Sequence, residues 1–281
     1  MKRVVSIQDV SCLGKCSLTV ALPILSAMNV EAAVIPTAVL STHTAIKGYT
    51  FRDLTEDILP IIGHWQREGY TFDAVYTGYL GSGRQVDLVA EIFKRFKTPE
   101  NFFLVDPVMG DNGAFYAGFN ENFVALMNSL CRQADVITPN LTEASYMLRI
   151  PYIEEDGYSR DYAEDLLVQL SRLGVKKPVI TGIGFNQDEI GAVAYDSAAD
   201  KFVSAFNERV PGKFHGTGDI FASVLTGALV NGCTLSDALG LSVDYSLESI
   251  RATVADPHAR NYGVNFESAI PMLVKRMESA R

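Results

Sequence analysis

Short apolar runs alternate with longer stretches of helical periodicity along most of this chain. Val4-Val5-Ser6-Ile7 reads as a short buried strand, and Leu18 to Met28 keeps an apolar helical face in spite of Pro23. Val30 to Val39 predicts a second strand, with Ser41-Thr42-His43-Thr44 as a polar loop after it. A helix is expected from Asp53, which has capping-box spacing to Glu56, as far as Gly69. Ala74 to Thr77 is the next strand and runs into Gly78-Tyr79-Leu80-Gly81, followed by a helix from about Gln85 to Phe96. Phe102 to Val105 forms a strand closed by Asp106-Pro107, and the glycine-containing loop Val108 to Gly118 carries Asp111. Helix resumes near Asn120, and Val136 to Pro139 returns to strand. Asn140 then caps a helix with Glu143 as its box partner. Ser159 to Leu173 is amphipathic and stops at Gly174, Val179 to Thr181 is a strand, and Gly191 to Tyr195 with Phe202 to Phe206 predicts an edge hairpin. From Gly218 onward the pattern is mostly helical.

Strands alternating with helices imply the α/β class: a three-layer α/β/α sandwich around a mostly parallel sheet. Ligands of such sheets bind beyond the carboxyl ends of the strands. That rule gathers Asp9, Thr44, Tyr79, Asp106, Thr138 and Thr181 on one rim, because each ends or follows a strand.

Composition adds limits to this picture. With 281 residues, 48% of them hydrophobic, and no low-complexity linker, the chain is expected to form a single domain over 1–281. A net charge of -9 argues against nucleic-acid or membrane-surface partners, which need clustered Lys and Arg, and leaves small molecules. Asp9 interrupts the first apolar stretch too early for a signal peptide, and no apolar window approaches a membrane span, so a cytoplasmic location is expected. Cys12 and Cys16 lack a second close pair for a zinc site, and Cys131 and Cys233 are expected in or near the core.

The most informative stretch is His215-Gly216-Thr217-Gly218-Asp219, which precedes the apolar helix beginning at Ile220. Glycines at a helix start let orphan N–H groups face an anion, assisted by the positive end of the helix dipole. Asp219 in the first turn would be repelled there unless it had work to do, such as taking a proton from an attacking hydroxyl. A capping loop with a first-turn Asp is the structural alternative. Gly14-Lys15-Cys16-Ser17 is not a phosphate loop, and Gly78 to Gly83 has the wrong glycine order for a dinucleotide fingerprint. No histidine pair has metal-binding spacing. His64 and His258 are expected on the surface or in structural roles, whereas His43 and His215 lie on the rim. With Asp106, Asp111 and Glu143 on the same rim as an anion hole, a divalent cation between carboxylates and phosphate is implied, and with it phosphoryl transfer.

Ser6-Ile7-Gln8, Ser41-Thr42-His43-Thr44, Thr77-Gly78-Tyr79-Leu80-Gly81, Asp106-Pro107-Val108-Met109-Gly110-Asp111, Thr138-Pro139-Asn140-Leu141-Thr142-Glu143-Ala144 and Gly216-Thr217-Gly218-Asp219 together resemble the motifs of the pyridoxal kinase family, within the ribokinase-like superfamily. The resemblance runs from residue 4 to about residue 230. It implies ATP-dependent phosphorylation of the 5′-hydroxymethyl group of pyridoxal, pyridoxine or pyridoxamine. It further implies Asp219 as the base, the N–H groups of Gly216, Thr217 and Gly218 around the phosphoryl group, and Mg²⁺ positioned through waters by Asp106 and Glu143. K⁺ or Na⁺ is implied near Asp106. Asp111, Thr138, Asn140, Thr181 and Gly182 match nucleotide-side positions, while Thr44 and Tyr79, with His43 beside them, match the ring pocket. Related enzymes are commonly dimers, which makes a homodimer the expectation.

The chain departs from that family at position 9, where Asp replaces the usual Ser, and little of the following loop beyond Gly14 is kept. Asp9 is expected to accept a charge-assisted hydrogen bond from a protonated ring nitrogen. The alternatives are a hydroxymethylpyrimidine kinase or other ribokinase-like small-molecule kinase, and a non-catalytic vitamer-binding protein.

Overall fold

The computed structural model describes residues 1–154 and 157–279. In chain order these form β1 (Lys2–Leu13), α1 (Leu18–Ala27), β2 (Val30–Thr42), β3 (Phe51–Asp53), α2 (Thr55–Arg67), β4 (Ala74–Thr77), α3 (Gly83–Phe96) and β5 (Phe102–Val105). There follow β6 (Gly110–Asp111), β7 (Ala114–Phe115), α4 (Glu121–Cys131), β8 (Val136–Ile137), α5 (Leu141–Leu148), α6 (Arg160–Arg172), β9 (Lys177–Ile183), β10 (Glu189–Asp196) and β11 (Lys201–Glu208). The chain closes with α7 (Thr217–Val230), α8 (Leu235–Ala255), a 3₁₀ turn over Phe266–Ala269 and α9 (Ile270–Ser279). They fall into two compact units, one of residues 1–81 with 210–281 and the other of residues 82–209. Among the described residues no helix is long and apolar enough to cross a membrane.

In the first unit β1 pairs in parallel with both β2 and β4, and β3 adds antiparallel to β2. A strand covered on both faces needs an unbroken apolar run, and Val4 to Asp9 are all buried. The sequence pattern ends this strand at Ile7, but the ladder continues to Leu13, so Asp9 lies inside it. There the register breaks: Gln8 pairs Pro36 and Val10 pairs Val39, so two residues of β2 oppose Asp9 alone. Pro36 has no N–H to give the ladder, and a bulge of this kind re-aims a side chain. Ser41 and Thr42 likewise end β2 rather than open a loop. Helix α7 buries nearly every residue from Ile220 to Val230, the mark of a core helix. Its Gly227 admits Met28 so closely that a Cβ would fall 2.4 Å from the sulfur. The expected Asp53/Glu56 capping box does not form. Leu54 is the cap residue of α2 without a side-chain bond, and Asp53 Oδ1 instead accepts the N–H of Thr55 at 2.6 Å.

In the second unit β5, β8 and β9 run parallel, while β10 and β11 form the expected hairpin, antiparallel to β9. Ser82 and Ser159 cap α3 and α6 through their hydroxyls. Asn140 and Glu143 form a complete capping box on α5. Just before β8, Asp135 accepts from the Phe103 N–H at 2.9 Å, from Lys176 Nζ at 2.8 Å and from Lys97 Nζ.

Burial alone would raise the Asp135 carboxyl, but the lysines and the amide outweigh it and hold the group below its ordinary 3.8. A depressed value stabilises the fold fully above the unfolded carboxyl's range and ceases to do so as pH falls from 3.8 through the lower folded value. Asp135→Asn should therefore cost about 1.5–3 kcal/mol in denaturant titrations at neutral pH. The gap between variant and wild type should close on acidification below the carboxylate range, and a gap that persists there would refute the assignment.

Candidate active site

The first unit gathers its polar groups where β1, the loop 14–17 and the start of α7 meet. Gly216 is the cap residue of α7 at φ 82, a left-handed conformation suited to glycine, and carries no side-chain cap bond. A Cβ on Gly216 would land 2.0 Å from the carbonyl oxygen of Lys15, so the loop and the helix start can approach only through this glycine. Gly218 differs. Its φ is ordinary and a Cβ would meet nothing within 4 Å, which leaves open space over the first turn. Asp219 stands in that first turn, where Ser223 Oγ donates to its carbonyl oxygen at 2.6 Å.

Asp219 is partly exposed as a residue, yet its carboxyl is enclosed. Burial pushes it up to about 6, against an opposing bond from the Ser17 N–H and with help from the negative charge of Asp9. Asp9 is 3% exposed and its carboxyl is also raised by burial. Ser17 Oγ donates to Asp9 Oδ1 at 2.6 Å and Ser11 Oγ to Oδ2 at 3.0 Å. Cys16 lies against the same groups, its thiol pushed up to about 12 by burial and by the charges of Asp219 and Asp9. Tyr79 is raised by burial, then by Asp9 and Tyr49, which places its phenol near Asp9. His43 packs over Gly14 and against the His215 ring at 5.7 Å between centroids, and its imidazole is lowered by burial and by His215. Thr44 is exposed in the following loop, and Thr217 Oγ1 donates to the Phe214 carbonyl at 3.4 Å. Asp9, Tyr79 and Asp219 thus come together, whereas His43 and His215 pair with one another.

Sequence patterning missed Ser17 and Ser11. Ser17 adopts φ 51, ψ -133, which is foreign to non-glycine residues and costs about 1–3 kcal/mol. The only signal was its place in a polar loop directly before a helix.

The second unit builds a different arrangement around Glu143, which is 3% exposed. Glu143 Oε1 accepts the N–H groups of Met109 at 2.7 Å and Gly110 at 3.4 Å, and Oε2 accepts that of Asn140 at 3.0 Å. Burial nevertheless raises its carboxyl. Asn140 Nδ2 donates to the Gly110 carbonyl at 2.8 Å, so loop and helix cap hold each other. Asp111 is exposed and turns back on Asn112, at the tip of a tight hairpin whose Asn112 and Gly113 both have positive φ. Thr142 and Tyr146 fasten that tip to α5 through both backbone groups of Gly113. Asp106 is 7% exposed at the end of β5. Thr138 is buried with its hydroxyl unpartnered, and Thr181 pairs with Asn140 next to Gly182, whose φ is 64.

Among the described residues no three His, Cys, Asp or Glu side chains form a metal cage. The donors suit Mg²⁺, which keeps several waters and needs only one or two carboxylates beside phosphate oxygens. An ionised carboxylate has about four acceptor positions. Glu143 uses three on backbone N–H groups, which leaves one for a metal-bound water.

An α/β fold of mostly parallel strands flanked by helices, with a carboxylate in the first turn after a glycine cap, defines the ribokinase-like class of small-molecule kinases. The model of the family described as phosphomethylpyrimidine kinase matches residues 22–264, and the chain belongs to that family. A candidate phosphomethylpyrimidine kinase of Bacteroides thetaiotaomicron, in a crystal form with pyridoxal, is 37% identical over 97% of this chain and 95% of its own, with a TM-score of 0.92. The pyridoxal kinase of Lactobacillus plantarum is 31% identical over 99% of both chains, with a TM-score of 0.90. A curated pyridoxal kinase of Dictyostelium discoideum is 28% identical over 80% of this chain and 77% of its own.

These findings correct the family expected from the motifs. Membership lies with the phosphomethylpyrimidine kinases, not with the pyridoxal kinases. The Gly-Thr-Gly-Asp resemblance extends to the whole ribokinase-like class, so it does not discriminate between its families. Ser41-Thr42 and Thr77 are the last residues of β2 and β4. The chain is an ATP-dependent kinase of a small hydroxymethyl-bearing metabolite.

A base must be ionised to accept a proton. Activity limited by Asp219 should fall as pH drops through about 6. Asp219→Asn should lose about 10²–10⁴-fold in kcat. The raised value also means that ionising Asp219 costs the folded chain stability as pH rises from 3.8 through about 6. The variant should then melt no lower than wild type at neutral pH. A folded Asp219→Asn protein with undiminished turnover would refute the role.

Proposed function

We propose that this chain acts as one kinase domain transferring the γ-phosphoryl group of ATP to the hydroxymethyl group of a nitrogen heteroaromatic ring, with hydroxymethylpyrimidine as the acceptor. The observation that carries the reading is Asp219: an enclosed carboxyl with proton affinity raised to about 6, in the first turn of a helix whose glycine cap leaves its N–H groups without a side-chain partner. A carboxylate so placed takes the hydroxyl proton while the N–H groups of Gly216, Thr217 and Gly218 stabilise the phosphoryl oxygens. Asp9, with Tyr79 beside it, accepts from the ring or its substituents, and His43 and Thr44 border the acceptor. On the nucleotide side Thr138, Asn140, Thr181 and Gly182 line strand ends, and Asp111 sits on the hairpin that α5 holds rigid. Asp106, together with the remaining acceptor position of Glu143, would hold Mg²⁺ through bound water, and the ion would supply charge neutralisation of the phosphates.

Pyridoxal is a second acceptor to test, because the Bacteroides thetaiotaomicron relative was crystallised with pyridoxal. Both rings carry a nitrogen meta to the hydroxymethyl-bearing carbon, and once protonated that nitrogen can donate to a buried carboxylate.

The test is ADP release with Mg·ATP across hydroxymethylpyrimidine, the three B6 vitamers and ribose. Hydroxymethylpyrimidine is expected to give the highest kcat/KM and ribose none. Sole use of ribose, or saturable binding without transfer, would overturn the proposal. Asp9→Ser should raise the acceptor KM about tenfold or more with the ATP KM unchanged, the effect of losing one bond to a charged group.

A further inference from the structure

Ser17 gives up every local advantage a serine has at the start of a helix. A serine in that place ordinarily takes extended backbone and accepts a helix N–H with its hydroxyl. Here α1 has no side-chain cap bond, and Ser17 sits at φ 51, ψ -133. What it gains are two carboxylates: its hydroxyl donates to Asp9 Oδ1 at 2.6 Å, and its main-chain N–H bonds Asp219. No lysine or arginine among the described residues pairs with either carboxylate. The nearby Lys15 is turned away, its amino group held by Asn265 at 2.7 Å and Glu267 at 2.9 Å.

The strained conformation is imposed from several sides. Thr19 Oγ1 donates to the carbonyls of Gly14 at 3.0 Å and Cys16 at 2.7 Å, closing the loop on itself. The Lys15 N–H is held by the Tyr262 carbonyl at 3.2 Å. Gly216 and Gly263 press on Lys15 so closely that a Cβ on either would clash with it. Backbone strain that is over-determined in this way accompanies functional geometry.

We propose that Ser17 is a positioning residue that links acceptor binding to proton transfer, its hydroxyl fixing Asp9 for the acceptor ring and its N–H fixing Asp219 for the acceptor hydroxyl. The proposal rests on the reading of Asp219 as base. It accounts for a serine at a conformation in which glycine would be free of strain, since glycine would keep the second tie and lose the first.

Two substitutions separate the ties. In Ser17→Gly the backbone conformation is retained without steric cost and only the hydroxyl is lost. Its acceptor KM should rise about tenfold, with kcat within about threefold and the ATP KM unchanged. In Ser17→Ala the hydroxyl tie is lost while the strain of a Cβ at φ 51 remains against fewer restraints, so the loop shifts and the N–H moves away from Asp219. Here kcat should fall about tenfold below that of Ser17→Gly as well. Ser17→Gly should melt no lower than wild type, so it stays informative should Ser17→Ala not fold. A measurement without substrate completes the test: in carboxyl-labelled aspartate titrations, Ser17→Gly should raise Asp9 further by removing its short hydroxyl bond. This readout holds even if the wild type phosphorylates none of the acceptors, which would sink the proposed function alone. Unchanged acceptor KM together with an unmoved Asp9 titration would overturn the side-chain tie. Equal kcat in the two variants would overturn the main-chain tie.

Discussion

Two enclosed carboxyls beside each other, with no lysine or arginine among the described residues paired to either, form the most demanding arrangement in the first unit. Taking an ionised carboxylate out of water costs several kcal/mol unless it is paired or well hydrogen-bonded. Among the described residues the donors that meet Asp9 and Asp219 are neutral: two serine hydroxyls and the backbone N–H groups of Asp9 and Ser17. Neutral donors hold the groups in place but do not cancel their charge, so both keep a raised proton affinity. A lysine in the same place would have driven Asp219 low. The bulge at Asp9, the left-handed Gly216 and the strained Ser17 are three backbone irregularities serving that one electrostatic arrangement.

The second unit meets the same difficulty differently. Glu143 also lies in the interior, but three backbone N–H groups converge on it. One side chain thereby fixes the loop after β5, the cap of α5 and, through Asn140, the carbonyl of Gly110. Function and stability are hard to separate at such a residue. At Asp219 the same burial that raises its proton affinity makes the ionised carboxyl a liability to the fold.

Much of the architecture was legible from periodicity, because strands covered on both faces and helices with one apolar face leave strong patterns. The Asn140 and Glu143 box was legible because both partners lie within one turn. The equally good spacing of Asp53 and Glu56 misled, since spacing does not say which residue the helix takes as its cap. Strand β3 left no pattern because all three of its residues are exposed. The extension of β1 through Asp9 was hidden for the opposite reason, since burial of a carboxylate depends on Ser11, on Ser17 eight residues away, and on a bulge set by Pro36. The Gly-Thr-Gly-Asp segment announced a phosphoryl-transfer centre but not its acceptor. Family assignment from strand-end motifs failed there, because a few short segments weigh less than a family pattern matched over residues 22–264.

Cys16 shows what the same electrostatics does to a neighbouring sulfur. Peroxides and alkylating agents attack the thiolate, and a thiol held near 12 has almost none at physiological pH. Burial, joined by the charges of Asp219 and Asp9, thus keeps the proton on the Cys16 sulfur. Oxidative inactivation through Cys16 is thereby suppressed, and the exposed Cys12 is left as the accessible thiol of that loop.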